Sequence, residues 1–118
     1  MLAGLHTGCF TYLAHPDLVN FTGDDEIYRK HMLPFCREIK EMDIPLEVNF
    51  LGLPAKRNYP SERFYPLAPE VGNRFVLGVD AHTAGALSDP TGEAMAREFC
   101  RKIGISPEED VKLIPPTR

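Results

Sequence analysis

Histidine and aspartate residues follow two apolar stretches of this chain. Cys9–Ala14 leads into His15-Pro16-Asp17, and Phe75–Val79 leads into Asp80-Ala81-His82. If the stretches are parallel strands, their carboxyl ends meet at one edge of a sheet or barrel, where the reactive groups of such folds gather. Imidazole nitrogen and carboxylate oxygen suit zinc, manganese or iron better than calcium. The pattern therefore predicts a metal site built from two imidazoles and two carboxylates.

Each motif also has a purely structural interpretation. Taken alone, His15-Pro16-Asp17 favours a turn in which Asp17 caps the next element. Asp80 and His82 stand at i and i+2, so on a strand they would point the same way. The alternative is that Asp80 caps the following turn and His82 lies on the surface. The occurrence of both motifs at equivalent strand ends favours the metal site for each.

A third strand is predicted at Ile44–Val48, ending on Asn49. Alternation places Glu47 and Asn49 on one face and apolar side chains on the other. A charge within an apolar strand must be paired or functional if it faces inward, so in a barrel this face would line the interior near the metals. The alternative is an edge strand with both side chains in solvent. Arg57, in the next loop, is a candidate phosphate clamp because guanidinium groups bind phosphate through two donors.

Helices are predicted between these strands. Thr22 is the expected N-cap of a long amphipathic helix, and Pro34 inside it is expected to bend or divide that helix. Pro60–Tyr65 is predicted to form a short helix. Asp89 is expected to cap a further helix, which begins with proline and stops at Gly104. The resulting alternation of strand and helix predicts an α/β fold with parallel strands.

The length of the chain limits how much of such a fold it can form. With 118 residues and 43% hydrophobic content, it can build one core, but a complete (β/α) barrel normally needs about 200 residues or more. With Val111–Ile114 as a final strand, the elements amount to half a barrel, with three or four parallel strands and intervening helices. An open half exposes strand edges and an apolar face. We therefore expect self-association or pairing with a missing half.

Composition excludes some classes of function. The net charge of −4 argues against a general nucleic-acid binder, because that affinity comes largely from lysine and arginine. No stretch has the pattern of a membrane span or a signal peptide, so we expect no membrane partner and a cytoplasmic location. The three cysteines, an odd number without C-x-x-C spacing, are expected to be reduced and buried. His6 and His31 are expected to have no role in the site.

Four motifs occur here in an order and spacing that resemble the carboxyl-terminal part of the PHP family, named for its polymerase-associated and histidinol phosphatase members. They are Tyr12–Phe21, Leu46–Asn49 followed by Gly52-Leu53, Tyr59–Phe64 and Leu77–His82. The resemblance covers roughly residues 10 to 105. The combination is specific, although no single motif is. The segment after the Glu-x-Asn strand is more similar to the histidinol-phosphatase branch than to the polymerase branch.

The resemblance implies a distorted seven-stranded (β/α) barrel whose strand ends hold two or three metal ions. Carried onto this sequence, it makes His15, Asp80 and His82 metal ligands, with Asp80 and His82 at the catalytic centre. It also places Asn49 and Arg57 near the phosphate. The family's opening His-x-His motif is absent from this sequence. We therefore expect residues 1–118 to be a single partial domain, the carboxyl-terminal half of a PHP-type (β/α)7 barrel.

The function that the resemblance implies is hydrolysis of a small phosphomonoester by metal-activated water. The predicted ligands suffice for one open mononuclear site but not for a multinuclear one. We therefore expect zinc, manganese or iron at partial occupancy, and little activity from this chain alone. The alternative is a non-catalytic half-barrel that oligomerises or complements a separate amino-terminal half. The expected partners are a small phosphorylated substrate and a second copy of the chain, with no nucleic acid.

Overall fold

The computed structural model describes residues 1–19 and 21–115, in which helices and one parallel pair of strands form a mixed α/β arrangement. In chain order the elements are α1 (Leu2–Leu5), α2 (Asp25–Glu41), β1 (Leu46–Asn49), α3 (Leu67–Val71), β2 (Phe75–Gly78), α4 (Ala84–Leu87) and α5 (Pro90–Ile103). Within these ranges, no helix has the length and apolar composition needed to cross a membrane.

The sheet has two full strands and one bridge on each side. β1 and β2 pair in parallel along their whole length. Leu13 forms a parallel bridge to Leu46 of β1, and Glu108 forms one to Val76 of β2. The N–H of Leu46 donates toward β2, and the N–H of Glu47 donates to Leu13. β2 and Leu13 therefore lie on opposite sides of β1. The spatial order is therefore residue 13, β1, β2, residue 108, which is also the chain order.

Two predicted strands are absent from this sheet. Cys9–Ala14 contributes one bridge rather than a strand, because its pairing is limited to two hydrogen bonds of Leu13 and the chain then turns at His15, whose φ is 47°. The predicted final strand, Val111–Ile114, also does not form, and the fourth position in the sheet is taken earlier by Glu108. The described residues therefore contain two strands where the sequence predicts three or four.

The long helix α2 differs from its prediction at its start and in its middle. Asp24, not Thr22, is the N-cap, and its carboxylate accepts from Glu26 N at 2.7 Å. Pro34 does not divide the helix. Burial of one helical face provides the compensation, because Tyr28, Met32, Cys36 and Ile39 pack in the core while Pro34 is exposed. Tertiary packing contributes more to helix stability in proteins than local propensity does.

Of the two later predicted helices, one forms as expected. α5 has Asp89 as its N-cap, with the carboxylate accepting from two N–H groups at 3.0 Å, and Gly104 ends it at a φ of 76°. Both predictions for this helix are confirmed. Pro60–Tyr65 forms turns instead of a helix, and α3 begins only at Leu67. The Tyr59–Pro60 peptide bond in this segment is cis.

The core lies between β1, α2, α3 and α5, and its largest fully buried side chains include Phe64 and Tyr65. Cys36 and Cys100 are buried there as predicted, and burial raises the pKa of both thiols to about 11. Cys9 is exposed, which corrects the expectation that all three cysteines are buried. The reason is that the segment carrying it does not join the sheet as a strand.

Candidate functional site

His15 and Asp80 face each other at the edge of the sheet where β1 and β2 end. His15 leaves the sheet on one side of β1, and Asp80 follows β2 on the other. Their side chains meet with 3.3 Å between His15 Nε2 and Asp80 Oδ2. Both residues have positive φ, 47° for His15 and 36° for Asp80. Such backbone is uncommon for residues other than glycine, although aspartate and histidine adopt it more readily than most, and Asp43 and Lys56 adopt it outside this site.

β1 supplies two buried polar side chains between them, Glu47 and Asn49, which are 4% and 1% exposed. Glu47 Oε2 accepts from His15 N at 3.1 Å and from Asn49 Nδ2 at 3.3 Å. Asn49 Nδ2 also lies 3.4 Å from His15 Nε2. The predicted placement of both side chains on one face of the strand is confirmed, and both are buried. That this face lines the interior of a barrel stays a prediction.

These contacts determine which groups His15 Nε2 can bind. The amide of Asn49 is oriented by two bonds, because its Oδ1 accepts from Leu51 N at 3.1 Å and its Nδ2 faces the Glu47 carboxylate. The group that points at His15 Nε2 from β1 is therefore a donor, which favours a lone pair on that nitrogen, whereas the Asp80 carboxylate 3.3 Å away favours a proton or a metal cation there. Asp80 Oδ2 also presents lone pairs to the same nitrogen. A cation between the two atoms would satisfy both.

The spacing of the pair fits such an ion. A separation of 3.3 Å is longer than the roughly 2.7–2.9 Å of a charge-assisted hydrogen bond. It is close to the separation of about 3.4 Å between two ligand atoms that a tetrahedral ion holds about 2.1 Å away. His15 Nδ1 is buried and has no hydrogen-bond partner among residues 1–19 and 21–115. The rings of Tyr59 and His15 pack perpendicular to each other, with 5.7 Å between ring centroids.

His82 does not join this pair. β2 ends at Gly78, and the positive φ of Asp80 turns the chain, so strand alternation no longer sets the direction of the two side chains. His82 is exposed, and its Nδ1 lies 2.7 Å from the backbone oxygen of Asp80. Over the described ranges, no three histidine, cysteine, aspartate or glutamate side chains converge as a metal site. The structure brings together two of the three predicted ligands.

Asp17 points away from the pair and into the protein. It is 7% exposed, and its Oδ2 accepts from Ser61 N at 2.7 Å while the Tyr65 hydroxyl lies 3.4 Å from its Oδ1. This corrects the prediction that both carboxylates reach the site. The alternative, in which Asp17 caps the next element, is also not observed, because its Oδ2 accepts from Ser61, which lies 44 residues further along the chain. Burial raises the pKa of Asp17, although the Ser61 N–H and nearby His15 act in the opposite direction.

Arg57 is connected to the pair through one aromatic ring. Its Nη1 donates to Tyr59 OH at 3.2 Å, and the Tyr59 ring contacts His15. The guanidinium is exposed and lies in the loop after β1, as predicted for a residue that meets a ligand from solvent. Arg63, also in that region of the sequence, is engaged elsewhere, because its Nη1 and Nη2 donate to the Phe21 and Gly23 carbonyls at 2.9 and 2.7 Å.

The raised pKa of Asp17 predicts a pH-dependent effect of Asp17→Asn. A carboxyl whose pKa is above its ordinary 3.8 contributes stability that is present below that value and is lost as pH rises through the folded-state pKa. Asparagine can accept from Ser61 N and does not titrate. Urea unfolding at about pH 4 and about pH 7 should therefore show Asp17→Asn becoming more stable relative to the unsubstituted chain as pH rises. Exposed Asp110→Asn should show no such trend, and a parallel pH dependence of both variants would contradict the prediction.

Comparisons of this chain with protein-family models, with curated proteins and with solved structures found no significant match.

Proposed function

We propose that this chain is the carboxyl-terminal half of a metal-dependent phosphoesterase of the PHP type, similar to histidinol phosphatase. The observation that carries the proposal is the meeting of His15 Nε2 and Asp80 Oδ2, 3.3 Å apart, at the carboxyl-end edge of a parallel sheet. Both ligand-type atoms come from residues held in left-handed backbone, and an adjacent donor favours a lone pair on the nitrogen.

The order of the sheet supports the half-barrel. Residue 13, β1, β2 and residue 108 are neighbours in the same order in space and along the chain, and all are parallel. A helix lies between each successive pair, namely α2, then α3, then α4 and α5. Sequential parallel neighbours joined through helices are typical of (β/α) barrels, whereas doubly wound sheets reverse their order at a switch point.

The proposed function assigns a role to each of five residues. His15 and Asp80 would hold a zinc, manganese or iron ion, which when bound supplies an activated water and neutralises phosphate charge. His82 becomes the third ligand only when its ring leaves the Asp80 carbonyl. Asn49 has its amide engaged with neighbours, so its role is to orient the imidazole, and Arg57 is the phosphate-binding group for a small phosphomonoester. Two protein ligands are fewer than the three of catalytic zinc sites, so this chain alone binds metal weakly and has little activity.

Metal content tests the proposal. The untagged chain is dialysed to equilibrium against zinc or manganese, and the metal bound in excess of the dialysate is measured by inductively coupled plasma mass spectrometry. We expect sub-stoichiometric metal that His15→Ala/Asp80→Ala loses. The matched control, His31→Ala/Asp110→Ala, also removes one imidazole and one carboxylate, both exposed, and should retain the metal. Equal metal in the two variants, or none in the unsubstituted chain, would reject the site, provided that circular dichroism shows all proteins folded.

Activity is a separate measurement. We expect negligible hydrolysis of a small aryl phosphate with added manganese or zinc, because the ligand set is incomplete. Turnover that His82→Ala abolishes would contradict the inactivity of the isolated chain, although it would support the assignment of the reaction.

A second function is favoured by the outer surface of residues 9–19. Phe10, Tyr12, Leu18 and Val19 are exposed there, beside the bridge that ends the sheet. Exposed apolar side chains near a sheet edge favour association. A non-catalytic half-barrel would use this surface to oligomerise or to bind a separate amino-terminal half. Light scattering distinguishes this function, since a dimer or larger assembly supports it and a monomer counts against self-association.

A further inference from the structure

The candidate site contains a buried carboxylate that the proposed metal chemistry does not use. Glu47 lies in the middle of the sheet and is 4% exposed. A charge in such surroundings is costly unless hydrogen bonds replace its hydration. Its Oε2 accepts from His15 N and from Asn49 Nδ2, at 3.1 and 3.3 Å. Neither partner carries a positive charge, so within residues 1–19 and 21–115 no ion pair accounts for Glu47 at this position.

The bond to His15 goes to the backbone N–H and not to the ring. That N–H belongs to a residue whose φ is 47°, a conformation that costs energy for a side chain with a Cβ. Glu47 holds the same segment a second time, because its own N–H donates to Leu13 O at 3.0 Å. Glu47 therefore holds this segment at two points, Leu13 in the bridge and His15 in the turn. The turn determines where the imidazole points.

The neighbouring strand makes room for the carboxylate. A Cβ added to Gly78 of β2 would lie 1.9 Å from Glu47 Oε1 and 2.6 Å from Glu47 Cδ. Gly78 does not have positive φ, so the backbone of β2 does not require glycine there. Glycine is needed at this position because a side chain would collide with the Glu47 carboxylate. A glycine inside a strand commonly marks such a close approach of another group.

We infer that Glu47 is a positioning residue, which holds the His15 backbone so that Nε2 faces Asp80, and that Gly78 provides the space this requires. The inference rests on the proposed function in that it takes His15 as a metal ligand. The carboxylate acts through hydrogen-bond acceptance and not through its charge. Glutamine can place its amide oxygen where Oε2 lies, so Glu47→Gln should keep the arrangement and Glu47→Ala should lose it.

Zinc affinity measured by competition with a chromophoric chelator tests this. We expect Glu47→Ala to weaken zinc binding roughly 10- to 100-fold, the usual effect of removing a group that orients a ligand, and Glu47→Gln to stay within about 3-fold. Val48→Ala removes a buried side chain from the other face of β1. It should lower Tm without changing the zinc affinity of the folded protein. An equal loss in both Glu47 variants, or no loss in Glu47→Ala, would overturn the inference.

A second measurement separates this inference from the proposed function. If the unsubstituted chain binds no zinc, the proposed function fails, but amide hydrogen exchange still reports on the Glu47 bond. Protection of the His15 N–H should persist in Glu47→Gln and be lost in Glu47→Ala, while the N–H of Leu46, which donates toward β2, stays protected in both. Retained His15 protection in Glu47→Ala would overturn the positioning role whatever the metal result.

Discussion

Alanine at Gly78 is expected to destabilise the fold by about 3 kcal/mol, at the upper end of the cost of overpacking a core. The added Cβ would lie 1.9 Å from Glu47 Oε1 and 2.8 Å from Glu47 Cγ, well inside contact distance. The carboxylate can escape only by giving up its bonds to His15 and Asn49. Urea unfolding monitored by circular dichroism measures the loss. Gly85→Ala is the matched control, because Gly85 is exposed in α4 and a Cβ there meets nothing nearer than 4.0 Å.

The cause of the loss is tested with a double-mutant cycle. In a Glu47→Ala background the clash disappears, so Gly78→Ala should cost less than about 1 kcal/mol and the coupling should be about 2 kcal/mol. Unequal costs in the two backgrounds identify the carboxylate as the neighbour that needs the space. The same cost in both would show that Gly78 is required for another reason.

Removal of the Tyr65 hydroxyl is also expected to lower the free energy of unfolding substantially. The ring of Tyr65 is fully buried, and its hydroxyl donates to the Glu47 backbone oxygen and lies 3.4 Å from Asp17 Oδ1. Burial raises the pKa of this tyrosine, so it stays a neutral donor. Phenylalanine would preserve the packing but leave the Glu47 backbone oxygen without the one proton that this hydroxyl can donate. We expect Tyr65→Phe to lower the free energy of unfolding by about 2 kcal/mol.

Chemical denaturation of Tyr65→Phe and Tyr12→Phe provides the comparison. Tyr12 is partly exposed, so the loss of its hydroxyl should change stability by less than about 0.5 kcal/mol. If Tyr65→Phe were as stable as Tyr12→Phe, the hydroxyl would not be the link between the β1 backbone and the Asp17 segment.

Local patterns predicted the parts of the fold that short-range chemistry determines. Asp89 and Gly104 bound α5 as expected, because an N-cap carboxylate and a left-handed glycine act on their own helix ends. The alternation also placed Glu47 and Asn49 on the same face of β1, where their side chains contact each other. Cys9–Ala14 failed as a strand because an apolar run does not reveal whether a partner pairs with it along its length.

The positions of the site residues could be predicted from the sequence only where the direction of the neighbouring strands could be predicted. His15 and Asp80 meet as expected, since both follow segments that run the same way beside β1. His82 does not, because β2 ends before Asp80, and strand ends are the least certain feature of a sequence-based prediction. The contacts of Asp17 join it to Ser61 and Tyr65, 44 and 48 residues away. Nothing in the local pattern around Asp17 indicates partners at that distance.

The exposure of Cys9 gives the chain a natural attachment point for a spectroscopic label. Cys36 and Cys100 are buried, and with pKa values of about 11 they are almost entirely in the unreactive thiol form near neutral pH. A maleimide dye would therefore modify Cys9 selectively, without any engineered substitution. Because Cys9 lies in the segment that leads to His15, donor- and acceptor-labelled chains mixed in solution would report by energy transfer whether that edge of the sheet meets its counterpart in another copy.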